Sequence, residues 1–437
     1  MLHITDLRNT TYDPATVMPR AKLEVADASA VVEPIIDKVK THGAEAVLNL
    51  TEQFDGVRPD SLRVPQQALD QALAELDGGV RDALEESIAR ARKVHAAQLP
   101  PNTEVPLADG AVVENHWLPI QRVGLYVPGG RAVYPSSVIM NVVPAQAAGV
   151  PAIAITSPPQ SDFNGLPHPT ILAACKLLGI EEVYATGGAQ AIAMLALGAK
   201  DDRGVLVCEP VDLITGPGNV YVAAAKQAFF GKVGIDAVAG PSEILVLADE
   251  TANPAWVAAD LISQSEHDPL AASVLVTTSM EFAEAVVAEI AHQVPGAVLE
   301  DQIREALTGQ QSGALVVSTL DEAIEVTNAI ATEHLEIQTA DNEAVLERIT
   351  HAGAVFLGPY SPVPLGDYSA GSNHVLPTSG TARFSSGLNT VSFLRLQQRI
   401  RYDQAGLEPL AAGIEKLAQS EGLHAHADAI RSRFEQM

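Results

Sequence analysis

Four short polar stretches carry the side chains that could do chemistry. In "SQSEHDP", residues 263–269, Gln264 and His267 close an apolar run that opens at Asn253-Pro254, a pair suited to a helix N-cap and first turn. An i, i+3 pair shares one helix face. Imidazole is a common zinc ligand, and an amide oxygen is acceptable where carboxylate and imidazole complete the set. A helix end held by water explains the same residues. In "TEHLEI", Glu333 and His334 are adjacent. Helical neighbours diverge by about 100°, but at a helix-to-strand junction both can reach one pocket and offer two proton acceptors of different resting pKa. A surface helix terminus is the other reading. "LGDYSAGSNHVLPT" places Asp367 and His374 in a Gly/Ser-rich stretch between Pro364 and Pro377, the loop composition in which sites are common. "SEGLHAH" sets Glu421, His424 and His426 near the C-terminus. On a helix the two histidines would point about 200° apart, so at most one enters a shared site. The sequence has no H-E-x-x-H motif, so any metal centre must be assembled from distant segments.

The elements that must position these groups follow from the apolar pattern. Residues 1 to about 20 are polar and contain proline, and read as an arm. From Val25 to Gln98 apolar residues recur at helical spacing, with a break at Gly78-Gly79. After Trp117 short apolar strands alternate with helices: "VGLYV", a "PGG" turn, "SSVIMNVVPAQAAG", "AIAITS", "TILAACKLLG", "EVYATG", "AQAIAMLALG", "GVLV", "NVYVAAAKQAFFG". A second series starts at "EILVLAD" and ends at "AVFLG". This alternation predicts two α/β domains with parallel, doubly wound sheets. Gly358 to Asn389 reads as loops, and the last 48 residues as helix. No G-x-G-x-x-G fingerprint opens either series. "GGAQ" (187–190) and "GPGN" (216–219) put glycines between a strand and a helix start, where a pyrophosphate could sit; a plain tight turn is the alternative.

Composition narrows the function. The chain has 437 residues, 47% of them hydrophobic, which suits two or more folded domains. Lys plus Arg number 27 against 54 Asp plus Glu, a net charge of -27 that repels nucleic-acid phosphates. An anionic cofactor is not excluded, because backbone N–H groups at helix starts bind phosphate without a basic surface. The most apolar stretch, Val138 to Ile155, is interrupted by Asn141, Pro144, Gln146 and Pro151, so no membrane span is expected, and the N-terminus lacks a signal-peptide pattern. Cys175 and Cys208, the only cysteines, both sit in apolar runs and read as buried thiols of a cytoplasmic protein.

In this order and over nearly the whole chain, "YDP", "VGLYVPGG", "GGAQAIA", "TGPGN", "AGPSEILVLAD", "LISQSEHDP", "EHLEI", "LGDYSAGSNHVLPT" and a final E-G-L-x-A-H resemble histidinol dehydrogenase. The resemblance implies an NAD-linked, zinc-dependent oxidation of L-histidinol to L-histidine through the aldehyde, using two NAD and one water. It implies Gln264, His267, Asp367 and His426 as zinc ligands, and Glu333 and His334 as catalytic residues. Ser242, His374 and Glu421 would join the ligands and His334 in touching substrate, and Tyr126, Gln190 and Asn219 would touch NAD. It further implies a homodimer with intertwined helical termini, in which Glu421 and His426 enter the partner's site. The domains expected are an arm (1–20), an α/β domain with most zinc and catalytic residues (21–125 with 243–388), a Rossmann-like NAD domain (126–242) and a helical dimerisation segment (389–437).

The residues support a thiol-free route, since neither cysteine has a positive neighbour to activate it. His334 would take the alcohol proton, Glu333 would activate water for the aldehyde, and His334 would serve the second oxidation. Two other classes stay open: a zinc hydrolase in which Glu333 activates metal-bound water, and a non-catalytic small-molecule binder.

Overall fold

The computed structural model describes residues 2–21, 25–129, 133–238 and 240–434. Gly130 of the expected "PGG" turn and Ala239 of "AGPSEILVLAD" lie outside the described residues. In chain order come β1 (Ile4–Asp6), α1 (Val25–Asp55), α2 (Gln66–Ala74), α3 (Gly78–Ala97), β2 (Thr103–Ala108) and β3 (Ala111–Pro119). The first α/β series follows: β4 (Arg122–Tyr126), α4 (Pro135–Ala147), β5 (Ala152–Ser157), α5 (Pro169–Leu177), β6 (Val183–Ala185), α6 (Gly188–Leu197), β7 (Ala199–Lys200), β8 (Leu206–Cys208), β9 (Leu213–Thr215), α7 (Val220–Phe229) and β10 (Gly234–Ile235). The second contains β11 (Glu243–Ala248), α8 (Pro254–Ser265), β12 (Ala272–Thr277), α9 (Met280–Gln293), α10 (Glu300–Thr308), β13 (Gly313–Val316), α11 (Leu320–Ile330), β14 (His334–Gln338), α12 (Asn342–Leu346), β15 (Ala354–Leu357) and α13 (Val363–Tyr368). The chain ends with β16 (Leu394–Tyr402), α14 (Gln404–Ser420) and α15 (His424–Arg431).

Each series forms the parallel sheet its pattern predicts. One has the order β10-β9-β4-β5-β6, the other β1-β13-β12-β11-β14-β15. Strands covered by helices on both faces bury successive residues on opposite sides. Ile244 and Val246 of β11 thus enter one core with Leu275, Ala314 and Val316, while Leu245 and Leu247 enter the other with Val274, Val276, Leu315 and Leu335. At about 1.5–3 kcal/mol for each fully buried aliphatic side chain, this alternation makes the register of β11 expensive to shift.

The expected arm contributes a strand, since β1 pairs in parallel with β13. "GVLV" does not join the parallel sheet; β8 pairs antiparallel with the short β7. The early helices lie against the first series, α1 on α6 and α7, α2 on α5, and α3 on α4. Helix α1 kinks at Gly43, whose φ is 56°. A Cβ there would stand 2.4 Å from the Lys200 carbonyl oxygen, so glycine is the residue that fits.

Residue contacts divide the chain into two units, Met1–Gln98 with Ile120–Phe393, and Leu99–Pro119 with Leu394–Met437. The second is built on an antiparallel sheet of order β16-β3-β2, with α14 and α15 after it. The expectation of helix throughout 389–437 is therefore corrected at Leu394–Tyr402. Its "LRLQQRIRY" alternates mostly apolar with polar side chains, a period of two that belongs to a strand. Among the described residues no helix is long and apolar enough to cross a membrane.

Candidate active site

Helices that cross back over a parallel sheet run against its strands, so their C-terminal ends arrive where the next strand begins. Helix α8 does this. Asn253 caps it by accepting the Ala255 N–H at 3.0 Å, Pro254 opens it, and its end delivers Gln264 and His267 to the start of β12. His267 closes a last turn with its N–H on the Gln264 carbonyl at 3.2 Å. Asp268 then accepts the Leu270 N–H at 2.8 Å and turns the chain into the strand. Gln264 is 1% exposed, and neither polar atom of its amide has a partner. Such a buried, unpaired group costs about 1–3 kcal/mol, and so marks a place where a ligand would complete the structure. His267 is open to solvent on one side, yet enough protein surrounds its imidazole to lower its pKa.

Strand β14 begins at His334, paired in register with Ile244 of β11. One step before that pair, the peptide of Glu243 holds both expected catalytic groups. Its N–H donates to Glu333 Oε2 at 2.9 Å, and its carbonyl oxygen lies 3.0 Å from His334 Nδ1. A carbonyl only accepts, so Nδ1 carries the proton and Nε2 is the bare, proton-accepting nitrogen. That Nε2 is buried and without a partner. Burial, the largest cause, lowers the His334 pKa to about 3, and the nearby His267 and His374 push the same way. Burial and the carboxylates of Glu243 and Asp367 raise Glu333 well above an ordinary glutamate.

Asp367 lies in a short helix rather than a loop, because Pro362 enters extended and Pro364 suits the first turn of α13. Burial raises its pKa to about 6. His374 follows on the next turn of chain, with Nδ1 3.2 Å from the Asp367 carbonyl and Nε2 3.2 Å from Ser137 Oγ of α4. The carbonyl again fixes the proton on Nδ1, so the Ser137 hydroxyl donates to Nε2. Ser242 precedes β11 and accepts the Ala272 N–H at 3.0 Å. The structure thus gathers Ser242, Gln264, His267, Glu333 and His334 at the N-terminal edge of the six-stranded sheet. The charge of Asp367 reaches Glu333, and that of His267 reaches His334 and His374.

The expected cofactor contacts occupy the opposite kind of edge. Tyr126 ends β4, Gln190 lies in the first turn of α6 after β6, and Asn219 separates β9 from α7. In the five-stranded sheet β4 is flanked by β5 and β9, so the strand order reverses there, at the carboxyl ends where open α/β sheets bind ligands. The Tyr126 hydroxyl accepts the Gly188 N–H at 3.2 Å, and burial raises its pKa to about 12. Gln190 is 1% exposed with Nε2 unpaired. Asn219 is exposed and caps α7 by accepting from Tyr221 and Val222 N–H at 3.0 and 3.1 Å. Glu421 and His426 belong to the other unit, Glu421 at the C-terminal end of α14 and His426 in α15, both exposed.

Among the described residues no three His, Cys, Asp or Glu side chains converge in a metal-binding cluster. Within the first unit the expected donors are His267 and Asp367 with the Gln264 amide, and the orphaned amide fits a missing ligand. Sequence reasoning missed Glu243. It works through backbone groups that every residue but proline supplies in full, and its own carboxylate is held by Arg20 at 3.2 Å and the Ser379 N–H at 3.1 Å. Ser137 was missed too, since its role depends on a fold that brings α4 to His374.

Both cysteines are free and buried, as expected. Burial raises Cys208 to about 11 and Cys175 further, which suppresses the nucleophilic thiolate. Cys175→Ser and Cys208→Ser are therefore expected to keep at least about half of wild-type kcat, with any loss falling on thermal stability through weaker apolar packing. Abolished turnover in a variant shown to be folded by circular dichroism would contradict this.

His374 gives a pH prediction. Burial lowers its folded pKa to about 4 from an ordinary 6.5. Between these values the unfolded chain binds the proton and the folded one does not, so stability is lost as pH falls below about 6.5. His374→Gln removes this term. The stability gap between wild type and variant is expected to narrow by about 2 kcal/mol from pH 7.5 to pH 5 in metal-free buffer. Urea midpoints at the two pH values measure it; an unchanged gap would show that the imidazole is charged in the folded state.

Comparison with known proteins agrees with the resemblance read from the sequence. The family model described as histidinol dehydrogenase matches residues 18–434. The histidinol dehydrogenase of Thermobifida fusca is 56% identical over 98% of this chain and 97% of its own length. That of Mycolicibacterium smegmatis is 54% identical over 98% and 97%. The crystal structure of histidinol dehydrogenase from Elizabethkingia anophelis, 33% identical, superposes with a TM-score of 0.93 over 99% of this chain and 98% of that one. A family model spanning nearly the whole chain, relatives of this identity and a shared fold together place the chain in the histidinol dehydrogenase family, a family of oxidoreductases.

Proposed function

We propose that the protein oxidises L-histidinol to L-histidine in two NAD-linked steps through L-histidinaldehyde, as part of cytoplasmic histidine biosynthesis. The observation that carries this reading is the pair Glu333–His334 at the start of β14, with the His334 tautomer fixed by Glu243 so that its buried Nε2 is free to take a proton. In each oxidation hydride leaves the substrate carbon for NAD, and the accompanying oxygen-bound proton passes to His334 Nε2. Between the two steps water adds to the aldehyde as Glu333 removes its proton. The raised pKa of Glu333 makes its carboxylate a stronger base than an ordinary glutamate once ionised. Ser242 and His374 would line the substrate, with Ser137 and Asp367 holding the His374 ring.

A zinc ion would be held by Gln264, His267 and Asp367 and by His426 of a second copy, and would fix the substrate's imidazole and amine rather than create the nucleophile. The donor set of amide, imidazole and carboxylate is acceptable to zinc. NAD would lie over Tyr126, Gln190 and Asn219 in the 126–242 domain, while the 21–125 and 243–388 segments carry the chemistry. The 389–437 segment would mediate a homodimer in which Glu421 and His426 complete the partner's site. The test is purified protein with histidinol and NAD, read by NADH absorbance. A hydrolase or a passive binder predicts no NADH.

A further inference from the structure

The five-stranded sheet contains a buried ion pair with no part in the chemistry above. Lys226 of α7 is 1% exposed and contacts the Asp236 carboxylate just after β10. The two side chains also grip one residue of the neighbouring turn. Lys226 Nζ donates to the Gly216 carbonyl at 3.0 Å, and the Gly216 N–H donates to Asp236 Oδ2 at 2.8 Å. Asp236 Oδ1 accepts the Ala237 N–H at 2.8 Å, which fixes the carboxylate in turn. Gly216 has a φ of 117°, and a Cβ there would lie 2.1 Å from the Tyr126 carbonyl oxygen. The grip therefore presses the start of the "GPGN" turn against the end of β4, where the strand order reverses.

Taking a lysine and an aspartate out of water is costly, and an apolar pair of similar volume often packs as well or better. The helix that carries Lys226 buries Val222, Ala223, Ala225 and Phe229 as well, an apolar setting that would accept such a pair. What the apolar pair cannot do is hold both the N–H and the carbonyl of Gly216. We infer that Lys226 and Asp236 are positioning residues for the dinucleotide, setting the Gly216–Asn219 turn in the shape that receives it. This rests on the reading that NAD occupies this crevice. The buried Gln190 Nε2 has no partner, and it lies in the first turn of α6, which Tyr126 ties to the end of β4 by accepting the Gly188 N–H, so it points independently to a ligand at this crevice.

The experiment compares steady-state kinetics of the zinc-loaded full chain with those of Lys226→Met and of the double variant Lys226→Met with Asp236→Leu. The double variant leaves no unpaired buried charge, so it decides the matter where the single one fails to fold. The expected result is a rise in KM for NAD of about tenfold or more, with KM for histidinol unchanged, matched by weaker NAD binding in calorimetry. A folded double variant with wild-type KM for NAD would overturn the inference. So would a parallel rise in both KM values, or a double variant that cannot fold, since either makes the pair a general structural element. Wild-type protein that binds no NAD would remove the cofactor reading itself, an outcome separate from these.

Discussion

His334→Asn is expected to lower kcat by about 10²–10⁴-fold, the usual value of a positioned general base, in a protein of unchanged fold. The asparagine amide sits near the place of imidazole Nδ1 and can keep the donation to the Glu243 carbonyl, now 3.0 Å from the ring. It has nothing at the position of Nε2, so the proton of the alcohol has nowhere to go. Glu333→Gln separates the two halves of the reaction. A glutamine oxygen can still accept the Glu243 N–H, but it cannot take a proton from water. That variant is expected to reduce NAD with histidinol and stall at the aldehyde. Rapid-quench product analysis checks both; full conversion to histidine by His334→Asn at near wild-type rate would dismiss His334 as the base.

His267→Ala is expected to lose zinc and activity together while remaining folded, because the imidazole stands in the exposed turn just after the end of α8 and supports no core. His426→Ala, on the exposed face of α15, is expected to show the same loss. Mixed, the two should recover. If each subunit lends His426 to its neighbour, a heterodimer carries one site with both defects and one with neither. Random pairing makes about half the dimers mixed with one good site each, so activity should approach about a quarter of wild type. No recovery, with heterodimers confirmed by mass spectrometry, would place His426 in its own subunit's site.

Much of this was legible in the sequence, for identifiable reasons. Strands buried on both faces read as unbroken apolar runs, so β4, β5, β11 and β12 stand out. Asn253-Pro254 announces α8, and the i, i+3 spacing places Gln264 and His267 at its end. The antiparallel sheet of the second unit was harder to see. Residues of β2 are exposed along its whole length, and its alternating apolar residues, Val105 and Leu107, are too few to announce a strand. Strand β16 does alternate, but it stands in a segment dominated by the helical pattern of α14. Which edge of the six-stranded sheet carries the site was not legible either. Glu243 and His334 begin their strands rather than end them, and only the direction in which α8 crosses back reveals that they meet its C-terminal end.

A four-electron oxidation at one site fixes the ratio of NADH formed to histidinol consumed, and that ratio can be counted. With limiting L-histidinol and excess NAD, two NADH and one L-histidine are expected for each histidinol consumed, with no free aldehyde left at the end. One NADH with accumulated aldehyde, or consumption of histidinol without NADH, would contradict it.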